Sequence, residues 1–213
     1  MNRVLTVVTP AYSVDLTILA NVKSELGITT AADDANLETW IDQASALITA
    51  YCNRVFGEET VLESFRNRYT ASGQWPTHAK ITLDRTPVTA IASVIENGTT
   101  LTRDVDYEID VESGIMTRLC GDYEKRWDFR TLAVTYTGGY ELLGTLPIEL
   151  ERATITMVKQ FRSASTRDPL LKSEDIPGVL SQTFWVGGTG DKTPSGLPHD
   201  VETMIAPYRH IAI

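Results

Sequence analysis

After a short extended start, apolar positions recur along the chain at steps of three and four. Leu19, Val22 and Leu26 mark a short helix that begins near Asp15-Leu16-Thr17 and ends at Gly27, a residue suited to a left-handed C-cap. Leu37, Ile41, Ala44, Ile48, Tyr51 and Val55 then form one stripe on a longer helix, with Asp33 and Asp34 as cap candidates and Gly57 as its stop. From about Thr60 the period drops to near two. Residues 61–66, 81–83, 91–96, 107–111, 115–119 and 132–136 are rich in β-branched and aromatic side chains and predict short strands. Asn97-Gly98 predicts a tight hairpin, because both residues tolerate positive φ, and Glu112-Ser113-Gly114 predicts a second turn.

Pro147 suits a first helical turn, and Glu149 and Glu151 place negative charge at the positive end of the helix dipole. Leu150, Ala153, Met157, Val158 and Phe161 give that third helix its stripe. Beyond Ser165 the periodicity dissolves into Asp168-Pro169, Ile176-Pro177-Gly178, Gly187-Gly188-Thr189-Gly190 and Pro194-Ser195-Gly196, the composition of an extended arm. The arm closes on one or two helical turns before Pro207, with Leu197, Val201, Met204 and Ile205 on one face. The expected fold is α+β: a small helical core of three main helices, an inserted antiparallel β unit and an extended C-terminal arm. Its expected boundaries are 1–58 and 141–165 for the core, 59–140 for the β-rich insertion and 166–213 for the arm with its short terminal helix.

Composition narrows the function classes. The 19 basic and 28 acidic residues leave a formal net charge of -9, which disfavours a broad grip on nucleic acid phosphates. Cys52 and Cys120 are the only cysteines, too few for a disulfide framework, and they read as buried free thiols. The first residues, MNRVLTVVTP, hold one arginine and too short an apolar run for a secretory signal. No stretch reaches the roughly 18–20 apolar residues of a membrane span. A chain soluble in the cytoplasm when made is the expectation.

Catalytic chemistry finds little support. His78, His199 and His210 are far apart and lack a metal-ligand spacing, and neither a GxSxG nor an SxxK motif occurs. Capping accounts for Asp33 and Asp34. Asp106, Glu108 and Asp110 fall on one strand face, with Asp104 nearby; they suit either a cation or the carboxylates of a small hydrolase, or else simply the solvated side of a half-buried strand backed by Tyr107, Ile109 and Val111. Gly138-Gly139 follows a strand and precedes a helix, the order of a phosphate loop. No lysine follows, however, and hairpins rather than a parallel unit precede it. The pair therefore predicts a return point where the chain leaves the β insertion, with its glycines needed for backbone angles and Tyr136 and Tyr140 packed across the seam. No catalytic, metal or cofactor residue is assigned.

Phe184-Trp185, set in the glycine-rich arm, and the terminal apolar face admit two readings. They pack back onto their own domain, or they wait for a partner surface.

The order and spacing of these features resemble a known family. Residues 19–28 (LANVKSELGI), Asp33-Asp34, Leu37, Ile41, Ala44, Ile48 and residues 51–56 (YCNRVF) look like the N-terminal half of the head-tail connector proteins of tailed bacteriophages and gene transfer agents, also called head-completion or adaptor proteins. Tyr136-Thr137-Gly138-Gly139-Tyr140, Leu146-Pro147, Leu197-Pro198 and residues 206–209 (APYR) extend the likeness through most of the chain. The resemblance implies a non-enzymatic virion neck protein, made in the host cytoplasm. It also implies a ring of twelve neighbouring copies beneath the portal protein. Such a ring would extend the channel for genomic DNA, which passes without sequence-specific binding, and would present a docking surface to stopper or tail-completion proteins. A tail-terminator ring subunit is the structural rival, and the helix-first order argues against its β-dominated core. On this reading Phe184, Trp185, Leu197, Val201, Met204, Ile205, Pro207, Tyr208 and Arg209 contact the portal or a neighbouring subunit. Removing residues 197–213 would then leave a folded protein that no longer attaches to heads.

Overall fold

The computed structural model describes residues 1–68, 76–142, 144–165, 173–176, 180–183 and 196–210. The chain divides into a β unit, residues 1–13 and 57–141, and a helical unit, residues 14–56 and 142–213. Helices and antiparallel strands occur together, as an α+β fold requires.

The β unit holds β1 (Asn2–Thr9), β2 (Glu59–Arg66), β3 (Lys80–Thr82), β4 (Val88–Glu96), β5 (Thr99–Thr100), β6 (Tyr107–Asp110), β7 (Ile115–Cys120), β8 (Tyr123–Lys125) and β9 (Thr131–Gly138). One sheet runs β1-β2-β9-β4-β5, and a second runs β3-β7-β6 with β8 also on β7. At the centre of the first, β2 and β9 pair without interruption from Glu59↔Gly138 to Arg66↔Thr131. Their alternation sends Val61, Phe65, Leu132, Val134 and Tyr136 inward, where they meet Ile81, Met116, Trp127 and Phe129 in one core. Trp127 donates its indole N–H to the Met116 carbonyl at 3.2 Å, which satisfies the only polar atom of a fully buried ring.

The predicted turns form as their residues require. Asn97 and Gly98 take φ of 51° and 88° between β4 and β5, and Gly114 takes 69° between β6 and β7. One assignment changes. Residues 1–13 were expected with the helical core, but Asn2–Thr9 is an edge strand that pairs with β2. Nearly every residue of β1 is exposed, so one-sided burial never imposed the alternation by which a strand is recognised.

Where the chain enters and leaves this unit, its two passes lie side by side. Gly57 bridges Tyr140, and the Glu58 N–H donates to the Tyr140 carbonyl at 3.0 Å. Gly139 has φ of 118°, and a β-carbon there would lie 2.4 Å from the Gly57 carbonyl oxygen. The Gly138-Gly139 return point is thus a close backbone crossing that only glycine fits. Tyr136 does not lie across that seam; its hydroxyl is bound deeper in the sheet, as described below.

The helical unit holds α1 (Leu19–Leu26), α2 (Asp34–Cys52), α3 (Ile148–Ser165) and α4 (His199–Ile205), followed by a 3-10 turn at Ala206–Tyr208. Gly27 caps α1 in the left-handed conformation. Asn53, with φ of 49°, ends α2 four residues before the expected stop at Gly57. The predicted stripes meet: Leu37, Ile41, Ala44 and Ile48 of α2 and Leu150, Ala153, Met157 and Val158 of α3 are all buried. Two short strands, β10 (Ser173–Ile176) and β11 (Leu180–Thr183), pair with each other.

Candidate functional site

The terminal element is the first sequence-predicted site. Leu197, Val201 and Ile205 are 3%, 0% and 0% exposed, because α4 lays its apolar face onto the helical unit beside α3. Cys52 of α2 meets this face: its thiol approaches the Ile205 carbonyl at 3.7 Å, and its own carbonyl accepts the His210 N–H at 2.7 Å. Burial pushes the Cys52 thiol up to about 11. Tyr51 donates to Glu202 at 3.0 Å and is raised by burial and by that carboxylate, while Arg209 stacks 5.4 Å over its ring. Tyr208 donates to Glu149 at 3.0 Å.

Leu197, Val201 and Ile205 are therefore spent on their own unit. Met204 and Tyr208 are half-buried, and Pro207 and Arg209 are exposed, so this second group is what the element offers outward. The expectation for truncation changes with it. Loss of three buried aliphatic side chains, each worth about 1.5–3 kcal/mol, approaches the whole stability of a domain, about 5–15 kcal/mol. Removal of residues 197–213 would unfold the helical unit rather than merely undock it. Phe184 and Trp185 lie outside the described residues.

The acidic strand face is occupied by local work. Asp106 accepts the Thr102 N–H at 2.9 Å and faces Arg118, and Asp110 accepts the Ser113 hydroxyl and the Glu112 N–H of the following turn. Those bonds hold the Asp110 carboxyl below the usual range, the Ser113 hydroxyl foremost. Tyr107 is buried and Ile109 and Val111 pack on the core, so the solvated-face reading of Glu108 and Asp110 describes the strand. Among the described residues no three His, Cys, Asp or Glu side chains gather in a metal-binding group.

Periodicity did not foretell a buried ionic chain inside the β unit. Glu63, fully buried on β2, is ion-paired to Arg3 of β1 and accepts the Tyr136 hydroxyl of β9 at 2.8 Å and the Asp84 N–H at 3.2 Å. The Tyr136 hydroxyl in turn accepts the N–H groups of Asp84 and Arg85 at 3.1 and 2.9 Å. Arg85 reaches Glu59 at 2.9 Å and also Asp84, while Arg3 reaches Asp84 at 2.9 Å. Burial raises the Glu63 carboxyl, with Arg3, Tyr136 and the Asp84 amide opposing it. Tyr136 is raised as well, by burial first and then by the Glu63 charge. The chain of contacts clamps β1, β2, β9 and the 84–85 loop together.

Comparison with known proteins decides the family. The family model described as head completion protein matches residues 15–211. The chain belongs to the head completion protein family. A search of curated proteins finds no match to the sequence. Solved structures match the fold. A chain in the neck of an empty GTA particle, computed with C6 symmetry, is 15% identical with a TM-score of 0.55, covering 99% of this chain and 97% of that one. A chain in the virion of a native gene transfer agent (GTA) particle is 15% identical with a TM-score of 0.54, covering 98% and 96%. A chain in the neck of the native GTA particle, computed with C12 symmetry, is 15% identical with a TM-score of 0.51, covering 99% and 97%.

This head completion protein also carries a feature that periodicity could not show. Arg66, Arg68 and Arg130, together with Asn2, Asn97 and Thr131, line an open cleft of about 1040 Å³ at one end of the five-stranded sheet. The sequence signal was only Arg66-Asn67-Arg68, two cations one residue apart at a strand end; Arg130 joins them through the β2–β9 register.

Proposed function

We propose that this head completion protein is a non-enzymatic structural subunit of a virion neck. On this reading it forms a closed ring under the portal, extends the DNA channel and offers a docking surface to the proteins that complete the neck. One observation carries the reading: the full-length likeness of the chain to neck chains of gene transfer agent particles, with 99% and 97% of the two chains covered. The C6 and C12 symmetries of those necks support a ring. A net charge of -9 suits a channel that must not hold DNA, since a lining rich in cations would bind the phosphates and slow their passage.

Contact with the portal or with a neighbouring copy falls to the outward part of the terminal element, Met204, Pro207, Tyr208 and Arg209, with Phe184 and Trp185 on the arm before it. The docking surface for stopper or tail-completion proteins belongs to the same ring. Electron microscopy of the particle neck tests this directly. A ring of this chain immediately below the portal is the expected density, and a neck without one overturns the reading.

A further inference from the structure

Two exposed features of the β unit are chemical complements. The first is the arginine cleft. Arg66, Arg68 and Arg130 are all exposed, and among the described residues none of them makes an ion pair, whereas Arg3, Arg85 and Arg118 each face a carboxylate. Their backbones are held in place. Asn97 accepts the Arg130 and Thr131 N–H groups at 2.8 and 3.1 Å, and buried Asn67 donates to the Phe129 and Pro76 carbonyls at 2.9 and 3.0 Å. The second feature is the tip of the β7–β8 hairpin, where Cys120 pairs with Tyr123 across Gly121-Asp122. Asp122, Tyr123 and Glu124 are exposed, Tyr123 at 80%, and Cys120 is an exposed free thiol.

A tyrosine between two carboxylates is suited to an arginine cluster. Guanidinium groups bond carboxylates in bidentate fashion and stack on aromatic rings. Identical copies in a ring must each present two different patches, one to either neighbour. Copies with a net charge of -9 repel one another unless patches of opposite sign meet. Resting on the ring reading above, we infer that the Asp122-Tyr123-Glu124 tip of one copy seats in the Arg66/Arg68/Arg130 cleft of the next. A second copy suits the cleft better than duplex DNA does. Three arginines beside the carboxylate of Asp128 make a weak phosphate track, but they match a single acidic hairpin.

The test uses assembled particles and the full chain. In wild-type particles the neck is imaged first; absence of a ring removes the ring reading before any variant is made. With the ring seen, Arg66→Glu with Arg130→Glu is expected to lower the fraction of necks that carry it by about tenfold or more. Adding Asp122→Arg and Glu124→Arg to the same chain is expected to restore it, a rescue that misfolding would not show. A ring unaffected by the arginine reversals, or not rescued, overturns the inference and leaves the ring reading standing. As a geometric check, Asp128→Cys particles, which keep all three arginines of the cleft, are expected on treatment with a short bismaleimide to give a ladder of chain multiples through the native Cys120. Cys52 stays silent because it is buried with its thiol pushed up to about 11. No ladder, or one that persists with Cys120→Ser, overturns the inference. So does steep, salt-dependent binding of the wild-type chain to a DNA duplex that Arg66→Glu with Arg130→Glu abolishes, which would assign the cleft to nucleic acid.

Discussion

In the β unit Glu63 is fully buried and held by Arg3, Tyr136 and the Asp84 amide, so charge lies inside the fold. In the helical unit the interior is mainly aliphatic, and the ion pairs Lys159–Glu25, at 2.9 Å, and Arg162–Asp33, at 3.5 Å, lie at the surface. The contrast follows from how each element satisfies its backbone. A helix bonds internally and needs only an apolar stripe to dock, so α2, α3 and α4 each bury one, with Ile48, Met157 and Ile205 all fully inaccessible. A sheet leaves its crossing loops and edges to be tied down, and here the 84–85 loop and edge strand β1 are tied by a carboxylate and a phenol. Buried charge therefore specifies geometry in one unit, and volume does so in the other.

The largest blow to the β unit should come from its backbone crossing. Gly139→Val places a branched side chain at positive φ against the Gly57 carbonyl and is expected to cost about 3–5 kcal/mol, read as a collapse of the urea midpoint. It should impair folding and assembly together, without any change in nucleotide affinity. In the helical unit Ile205→Ala should cost about 2–5 kcal/mol by the same measurement, because the cavity opens where α4 meets its neighbours. A near-neutral result would mean that α4 is only loosely seated. Tyr136→Phe should cost about 1–3 kcal/mol, since it strips a partner from Glu63 and from two N–H groups while leaving the ring in the core.

A pH series separates the two units further. Burial raises the folded Glu63 carboxyl above its ordinary value of 4.5, so the folded state holds that proton more tightly than the unfolded chain. The resulting stabilisation is complete below 4.5 and is lost as pH climbs through the raised value. Urea midpoints should therefore fall over that window in the wild type, and the fall should be smaller in Glu63→Gln; identical slopes would show that Arg3 and the hydrogen bonds balance burial, and a steeper fall in Glu63→Gln would show that they outweigh it. The smallest effect belongs to the helical surface. Lys159→Ala should change stability by less than about 0.5 kcal/mol, because its partner Glu25 is solvated.

Legibility in the sequence followed burial on one side. The α2 and α3 stripes, the β2 and β9 alternation and the Asn97-Gly98 hairpin were readable because each repeats a period or a turn chemistry that local geometry demands. Edge strand β1 was legible only as an extended start and not as part of the sheet, since it is exposed on both faces. Nor was the fate of Leu197, Val201 and Ile205: an apolar stripe states that something must cover it, not whether a partner or its own unit does. The arginine cleft was out of reach for a related reason, as Arg130 lies 62 positions beyond Arg68 and joins it only through strand register.

Local pattern alone specified the class of most elements, the glycine joint at Gly138-Gly139, the absence of a phosphate-loop motif and the resemblance to head completion proteins. These are local or ordered patterns, and sterics and periodicity act on them before any long-range contact forms. Long-range packing settled that residues 2–9 join the sheet, that Glu63 is buried with Arg3 and Tyr136, that the terminal helix packs on its own unit, and that three arginines converge. Each of those depends on which distant residue arrives as a neighbour, and register and packing choose that neighbour from many of equal hydropathy and charge.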